Sequence, residues 1–429
     1  MKRAARTLAL LIAAALLSAR IQAQPSTLVI RTGMVIDGIS AQPIPRAVIV
    51  IDNDRITAVG PDVRVPASAR TIDLTGYTVL PGLIDAHTHV CFAPQDGKDP
   101  VLNKSIPYRA LEGAAAARTT LLAGFTTLRD TDAEGARDAD VAVRDAINQG
   151  LIPGPRLLVS TMAISITGGH MNEFGLAPAI DRDVPQLGDM ADTDADLVKI
   201  VRRQVKDGAD WIKVYATGSL RHTDPQTLES LAQFDETQIK IVVDEARRWR
   251  RDVAAHAYGG AGARAAVLGG VRSIEHGILL DDATLQLMAQ RGTFYVPTLS
   301  NFTATQALAG YPDAFVKTVM TRHREAFQKA MKLGVKIAFG TDAGRVKHGT
   351  NAGEFALMVA DGMPPIKAIQ ASTSVAAQLL RMEDRIGAIK MGLQADLIAV
   401  EGNPIDNIKL LQDVKFVMKG GQIVKQPKP

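Results

Sequence analysis

Short apolar segments alternate with longer amphipathic segments through the central part of this chain. The short segments have the length and composition of buried β-strands, and the longer ones repeat apolar residues at helical spacing. Eight such strands with intervening helices occupy about 260 residues, which predicts an α/β fold, a (β/α)8 barrel of the TIM type. The predicted strands are Gly82–Ala86, Thr126–Asp130, Arg156–Thr161, Trp211–Ala216, Asp252–His256, Ser273–His276, Thr293–Thr298 and Lys336–Gly340. The predicted helices are Arg109–Ala123, Leu197–Lys206, Thr237–Trp249, Ala283–Gln290, Phe315–Leu333 and one more at about 371–380.

The two ends of the chain have a different sequence pattern from its centre. From Ser26 to Leu80, short apolar runs are broken by Gly, Pro and Asn-Asp pairs, and the same strand-and-turn pattern returns near Gly387. We therefore expect residues 24–80 and 381–429 to build one small β-sandwich domain beside a barrel at 81–380.

The first 23 residues read as a secretory signal peptide. Lys2, Arg3 and Arg6 precede an apolar run from Leu8 to Leu17, and a cleavage site is plausible just before Gln24. The run is about half the length needed to cross a bilayer, so a permanent membrane anchor is the weaker interpretation. The sequence predicts a protein exported to the periplasm or secreted.

Charge and cysteine content narrow the classes of partner. The chain has 49 basic and 45 acidic residues. The predicted leader holds four of the basic residues and none of the acidic ones, so the remainder balances at 45 of each. No basic run stands out along the sequence, which argues against a nucleic-acid partner. A single cysteine, Cys91, forms no intrachain disulfide, so stability must come from the core.

Six residues with the side chains of metal ligands fall at the ends of separate predicted strands. A His-x-His pair on an extended segment directs both rings to the same side. Imidazole nitrogens and carboxylate oxygens suit zinc-like ions, and catalytic residues of such a barrel come from the carboxyl ends of several strands. Capping, core packing or salt bridging are the structural alternatives for each residue taken singly. The six are His87, His89, Lys213, His256, His276 and Asp342.

The motifs around these residues resemble the metal signatures of the amidohydrolase superfamily. The matching stretches are Pro81-Gly-Leu-Ile-Asp-Ala-His-Thr-His, Ile212-Lys-Val-Tyr, Ala255-His-Ala, Glu275-His-Gly and Gly340-Thr-Asp-Ala-Gly. The tail beginning Gly392-Leu-Gln-Ala-Asp is similar to that family's C-terminal β segment. Within the superfamily the chain looks closest to prolidase-like and Xaa-Arg dipeptidases and to ochratoxin-hydrolysing amidohydrolases.

The resemblance implies a binuclear metal site, with zinc as the expected metal. His87, His89 and Asp342 would hold the more buried ion, and His256 and His276 the more exposed one. Lys213 would bridge the two ions as a carbamate. The implied reaction cleaves an amide bond to a C-terminal amino acid by a hydroxide that bridges the metals, in a dipeptide, an N-acyl amino acid or an ochratoxin-like amide. Asp342 is expected to shuttle the proton.

Three further residues are candidates for substrate binding. Tyr215 shares a strand face with Lys213, and Arg221 lies in the following loop, so together they are expected to grip a substrate carboxylate. His170, in a glycine-rich loop, is expected to donate to the scissile carbonyl or to that carboxylate, as a catalytic or binding residue. A solvated loop residue is the alternative for Arg221 and His170.

The other histidines are interpreted as structural or solvent-facing. His323 lies among charged residues on a helix expected to be exposed, and His222 and His348 have no assigned role. Cys91 is expected to be a small buried side chain rather than a ligand.

Two other functions stay open. A mononuclear deaminase or imidazolonepropionase-like ring hydrolase would carry an acidic residue shortly after His256, where this chain has Ala257-Tyr258-Gly259-Gly260. A catalytically dead scaffold would usually have lost metal ligands, and all six are present. The resemblance also implies a homo-oligomer, up to an octamer.

Overall fold

A computed structural model describes residues 27–93, 100–172, 186–303, 308 and 310–427. The predicted signal peptide therefore lies outside the described residues. No helix in these ranges is both long and apolar enough to span a membrane.

Both ends of the chain contribute to one eight-stranded sheet. The strand Arg70–Pro81 pairs in parallel with Thr27–Val35 on one side and antiparallel with Leu397–Glu401 on the other, which joins the two ends. Apolar side chains from both ends, including Ile30, Leu397 and Phe416, pack into one cluster. The strands are Thr27–Val35, Ile44–Pro45, Val48–Asp52, Arg55–Gly60, Arg70–Pro81, Leu397–Glu401, Phe416–Lys419 and Gln422–Lys425.

The central part of the chain forms two parallel sheets. A three-stranded sheet contains Leu83–Thr88, Phe125–Asp130 and Arg156–Leu158 in that order. A six-stranded sheet has the order Asp189–Met190, Ile164–Ser165, Trp211–Tyr215, Asp252–Gly259, Ser273–Leu279 and Phe294–Val296. Every pair in both sheets is parallel, as the alternation of strands and helices predicts. The α/β class is confirmed.

Two predicted strands differ from the structure. The strand at Arg156 ends at Leu158, and Thr161 has a left-handed backbone with φ +58°, which cannot continue an extended strand. The predicted strand 336–340 is not a regular strand. Its backbone instead bonds on two sides: Tyr295 N donates to Lys336 O at 2.9 Å, and Ala86 N donates to Phe339 O at 2.9 Å. The segment therefore joins the last strand of one parallel sheet to the first strand of the other.

Helices cover the outside of the parallel sheets. Some begin at side-chain caps, such as Thr193 and Asp235, and two end at left-handed glycines, Gly270 and Gly292. Their apolar faces and the strands share one large core. The α-helices are Pro100–Asn103, Ile106–Leu122, Ala139–Asn148, Asp194–Lys206, Glu236–Arg248, Gly260–Gly269, Asp282–Arg291, Leu299–Thr303, Asp313–Lys332, Gly353–Ala360, Pro365–Ala371 and Ser374–Leu379. Two 3₁₀ helices are Leu220–His222 and Ile408–Gln412.

Candidate metal centre

The six predicted metal ligands come together at the carboxyl ends of the parallel strands. His87 lies near the end of the first strand and His89 directly after it, and all six side chains are buried. His87 Nε2 lies 3.7 Å from Asp342 Oδ1, and His89 Nε2 lies 2.9 Å from the same oxygen. Long-range folding therefore brings the first and last motifs of the sequence to one point.

The two rings of the His-x-His pair are oriented by their Nδ1 atoms. His87 Nδ1 lies 2.7 Å from Glu275 Oε2, and His89 Nδ1 donates to the carbonyl oxygen of Asp132 at 2.8 Å. Both Nε2 atoms are consequently directed at Asp342. A metal-binding histidine typically uses its second ring nitrogen in this way.

Electrostatics around His89 and Asp342 favour a cation between them. Burial by itself would lower the pKa of His89, but the Asp342 contact and the charge of Glu134 raise it to about 9. Burial likewise opposes ionisation of Asp342, yet His89 and His87 hold the pKa of that carboxyl well below its usual range. In the absence of a metal ion, a protonated His89 forms an ion pair with the Asp342 carboxylate through Nε2 and Oδ1.

His276 completes a compact group with His87 and Asp342. One potential ligand atom from each of the three lies within 4.8 Å of the others. His276 and Asp342 both have left-handed backbones, with φ values of +71° and +65°. Strained backbone of this kind is concentrated at functional sites. The Nδ1 of His276 lies 2.8 Å from Thr298 Oγ1, which orients its ring.

His256 and Lys213 lie on the other side of His276. The ring centroids of His256 and His276 are 4.8 Å apart. Lys213 is fully buried, and burial lowers the pKa of its ammonium while Glu275 and Asp132 oppose that shift. A buried lysine with a lowered pKa has more of the neutral amine, the form that reacts with carbon dioxide.

Several buried polar atoms of this cluster fit divalent ions. Among the described residues, none of them has a hydrogen-bond partner, although a buried unpaired polar group costs about 1–3 kcal/mol. Imidazole nitrogen and carboxylate oxygen are preferred donors for zinc-like ions. The unpartnered atoms are His87 Nε2, His256 Nε2 and Lys213 Nζ, and they lie near Asp342 Oδ1, which contacts His89 Nε2 at 2.9 Å.

A buried ion pair between Arg129 and Glu275 contacts the Nδ1 side of the His87 ring. Arg129 Nη2 donates to Glu275 Oε1 at 2.8 Å, and the other oxygen of Glu275 contacts His87. Arg129 also donates to Ala86 O at 2.6 Å and lies 4.6 Å over the ring of Trp211. Sequence reasoning missed Arg129 and Glu275 as site residues, although the position of Glu275 beside His276 was a usable signal.

Asp85 and Asn301 also hold the site together and were not predicted. Asp85 accepts hydrogen bonds from the Thr341 hydroxyl at 2.6 Å and from Asn351 Nδ2 at 2.7 Å, which ties the His87 strand to the segment before Asp342. Burial raises the pKa of Asp85 to about 6. Asn301 Nδ2 donates to Asp342 Oδ2 at 2.6 Å and leaves Oδ1 facing the histidines.

Two of the predicted substrate-binding residues line the site. The His170 ring lies 4.3 Å from the His256 ring and 4.5 Å from that of Tyr215. Tyr215 donates its hydroxyl proton to Asp132 Oδ2 at 3.3 Å. The buried His170 Nδ1 has no hydrogen-bond partner within the part of the chain that the structure describes.

Arg221 lies in the loop after the Lys213 strand, where it was predicted. Its side chain is exposed, and Nη2 donates to the carbonyl oxygens of His170 and Asn172 at 3.0 and 3.3 Å. These bonds connect Arg221 to the His170 loop.

Arg345 is a second cation at this site and was missed by sequence reasoning. Its Nη2 donates to Glu134 Oε2 at 2.5 Å, and its guanidinium lies 4.5 Å over the Phe92 ring. The side chain nevertheless keeps 35% of its accessible surface. Its charge helps to lower the pKa of His170, after the larger effect of burial. Arg345 therefore lies close to the predicted substrate-binding residues.

A family model described as the amidohydrolase family matches residues 78–424. The chain belongs to the amidohydrolase family. Ochratoxinase from Aspergillus niger is 32% identical, with 93% of this chain and 87% of that protein covered. A solved Xaa-Pro dipeptidase with methionine bound in its active site is 38% identical, with a TM-score of 0.85 over 93% of this chain and 100% of the other. A prolidase complexed with N-methylphosphonate-L-proline is 32% identical, with a TM-score of 0.82 and the same coverage.

This amidohydrolase is accordingly a hydrolase that acts on amide or peptide bonds. One expectation about its remaining histidines was wrong. His323 is buried on the inner face of Asp313–Lys332, with its ring 5.2 Å from Phe302, because its charged neighbours occupy the outer face of the helix. His348 contacts Thr120 Oγ1 at 3.0 Å, and Cys91 is buried.

Proposed function

We propose that the protein is a binuclear metal-dependent amidohydrolase that cleaves the amide bond to a C-terminal amino acid. The observation that carries this proposal is the group of buried, unpartnered polar atoms on His87, His256 and Lys213 beside the Asp342 carboxylate. Removing three polar atoms from water without partners would be costly unless bound cations compensate.

The proposed architecture is a closed (β/α)8 barrel with a small β-sandwich built from both chain ends. The bonds of segment 336–340 to the first and last parallel strands support closure. The apolar cluster shared by both ends supports the sandwich. In a barrel of this kind the carboxyl ends of the strands carry the active site.

In the proposed ligand set, His87, His89 and Asp342 would hold one ion and His256 and His276 the other. Lys213 would serve both ions as a carbamate, because an ammonium has no lone pair to donate. Zinc suits these donors. Bound ions of this type lower the pKa of a water molecule towards neutrality and polarise the substrate carbonyl.

Asp342 is the proposed proton carrier. Asn301 fixes its Oδ2, so Oδ1 is the oxygen that faces the site. From there the carboxylate can accept the proton of the attacking water and deliver it to the leaving nitrogen. The unpartnered Nδ1 of His170 is the proposed donor to the substrate carbonyl or carboxylate.

Arg345 is proposed as a further partner for the substrate carboxylate, beside Arg221. Only Nη2 of Arg345 is bonded to Glu134, and the side chain keeps accessible surface for a second anion. A guanidinium binds a carboxylate through two parallel N–H donors. Tyr215 is proposed to complete this pocket. Arg221 keeps its predicted role in gripping that carboxylate, while its Nη2 also holds the His170 loop.

The proposed substrates are dipeptides, N-acyl amino acids and ochratoxin-like amides. The similar dipeptidase was solved with methionine, and the similar prolidase with a phosphonate of L-proline. Export to the periplasm or the medium, no permanent membrane anchor and a homo-oligomeric state remain part of the proposal.

A hydrolysis screen combined with metal analysis tests this function. N-acyl amino acids and dipeptides would be compared with their C-terminal carboxamides, for the parent chain and for Lys213→Ala and Asp342→Asn. We expect about two ions per chain in the parent, cleavage of free-carboxylate substrates and loss of turnover on chelation. Lys213→Ala should lose metal and turnover, whereas Asp342→Asn should lose turnover even where some metal is retained.

Three results would contradict the proposal. Full turnover after exhaustive demetallation would exclude the metal mechanism. Fewer than about one ion per chain after reconstitution would favour a dead scaffold. Ammonia release from ring substrates, without amide cleavage, would favour the deaminase.

A further inference from the structure

A cavity of ≈ 480 Å³ lies at the end of the parallel strands opposite to the histidines. Its wall includes Asp252, the first residue of the strand that carries His256 four residues later. At about 3.3 Å per residue, the cavity is on the order of 13 Å from the metal centre. Six arginines line it: Arg247, Arg250, Arg251, Arg272, Arg291 and Arg381.

Some of these arginines already have partners. Arg381 pairs with Asp252 at 2.5 Å, and Arg247 pairs with Asp244 at 2.9 Å. Arg272 donates to the carbonyl oxygens of Leu379 and Gln378. These bonds leave further guanidinium N–H groups unused.

Arg250, Arg251 and Arg291 have no carboxylate partner among the residues that the structure describes. Arg250 and Arg291 are exposed, and Arg251 donates only to the carbonyl oxygen of Ala209 at 2.9 Å. Three guanidinium groups around one concave surface therefore face water without a counter-charge.

The arginines lie near the carboxyl ends of helices, but the partial negative charge of these helix ends does not balance the positive charge of the arginines. The helices Glu236–Arg248, Asp282–Arg291 and Ser374–Leu379 end beside the cavity, and cations at such ends stabilise a helix. Each helix end supplies only about half a negative charge. Together with the paired Asp244 and Asp252, the helix ends leave the cavity with a net positive charge.

We infer that this cavity binds a small polyanion with two or more phosphate or sulfate groups. The planar guanidinium fork matches the oxygens of these groups, and several separate arginines can contact different groups of one ligand. A single monovalent anion would use only part of the wall. This site is independent of the proposed hydrolytic function.

Naphthalene-1,3,6-trisulfonate is a suitable probe because sulfonates do not strip metal ions from the protein. Its fluorescence would be titrated with the full chain, with inorganic phosphate and sulfate as competitors. The comparison is between the parent, the double variant Arg250→Gln/Arg291→Gln and the control Arg264→Gln, an exposed arginine outside the cavity. Dipeptide hydrolysis would be followed in the same preparations.

We expect saturable binding that weakens as the salt concentration rises, since ions screen exposed charges. The double variant should bind at least about tenfold more weakly, and the control should match the parent. Hydrolysis should be the same in all three chains. Absence of saturable binding at low salt, or equal binding by the double variant, would overturn the inference, whatever the outcome for hydrolysis.

Discussion

Replacing Glu275 with glutamine removes the charge that joins Arg129 to His87. The carboxylate accepts from Arg129 through Oε1 at 2.8 Å and contacts His87 Nδ1 through Oε2 at 2.7 Å. A glutamine side chain has one oxygen and one NH2 group. Its NH2 group would therefore face either the guanidinium of Arg129 or Nδ1 of His87, and neither of these accepts a hydrogen bond in the parent protein. Ser273 Oγ also donates to Oε1, so Glu275→Gln keeps the shape of the side chain but breaks at least one of its three hydrogen bonds.

The expected magnitude follows from burial. The side chains of Arg129 and Glu275 are both 0% exposed, so the variant leaves an uncompensated cation inside the protein. Breaking such a pair costs about 3–5 kcal/mol. Loss of the carboxylate behind a metal-binding histidine lowers metal affinity by about 10–100-fold.

Urea unfolding of the chelated protein measures the first effect, and zinc competition with a chromogenic chelator measures the second. Glu245→Gln is the matched control, because its partner Arg202 is 54% exposed. An ion pair with an exposed member contributes about 1 kcal/mol or less. A stability loss at Glu275 no larger than at Glu245, with unchanged zinc affinity, would refute the reasoning.

Three further outcomes are expected. Arg345→Gln should raise the KM for free-carboxylate substrates by about 10–100-fold with little change for carboxamides, since a hydrogen bond to a charged group contributes about 1.5–3 kcal/mol. Arg221→Gln should also raise the KM mainly for free-carboxylate substrates, and kinetics of the free and capped series would show both effects. Burial raises the pKa of Glu354 to about 8, so the folded chain holds a proton that the unfolded chain releases near its ordinary value of 4.5. Stability should therefore fall between about pH 4.5 and 8 more steeply in the parent than in Glu354→Gln, as unfolding at several pH values would show. Gly344→Ala should impair metal binding, because its Cβ would meet His89 O at 2.6 Å and the residue has φ +122°; normal zinc content would contradict this.

The candidate ligands could be selected from the sequence because each lies in a local motif in or just after a predicted strand. Apolar periodicity marks the strands, and alternation places His87 and His89 on one side. The unusual segment 336–340 was harder to predict, since its hydrogen bonds are shared between two distant strands. The burial of His323 was missed because the charged residues around it belong to the outer helix face.

Composition and local pattern were thus enough for the α/β class, the amidohydrolase resemblance and the six candidate ligands. The charged residues that support the candidate ligands come together only through long-range packing. Arg129 contacts Glu275, 146 residues further along the chain, and Arg345 contacts Glu134, 211 residues away. The arginine-lined cavity depends on the same kind of packing. Three of its six arginines lie in the short segment Arg247-Arg248-Trp249-Arg250-Arg251, and the other three, Arg272, Arg291 and Arg381, come from distant segments that meet it only where strand starts and helix ends are packed side by side.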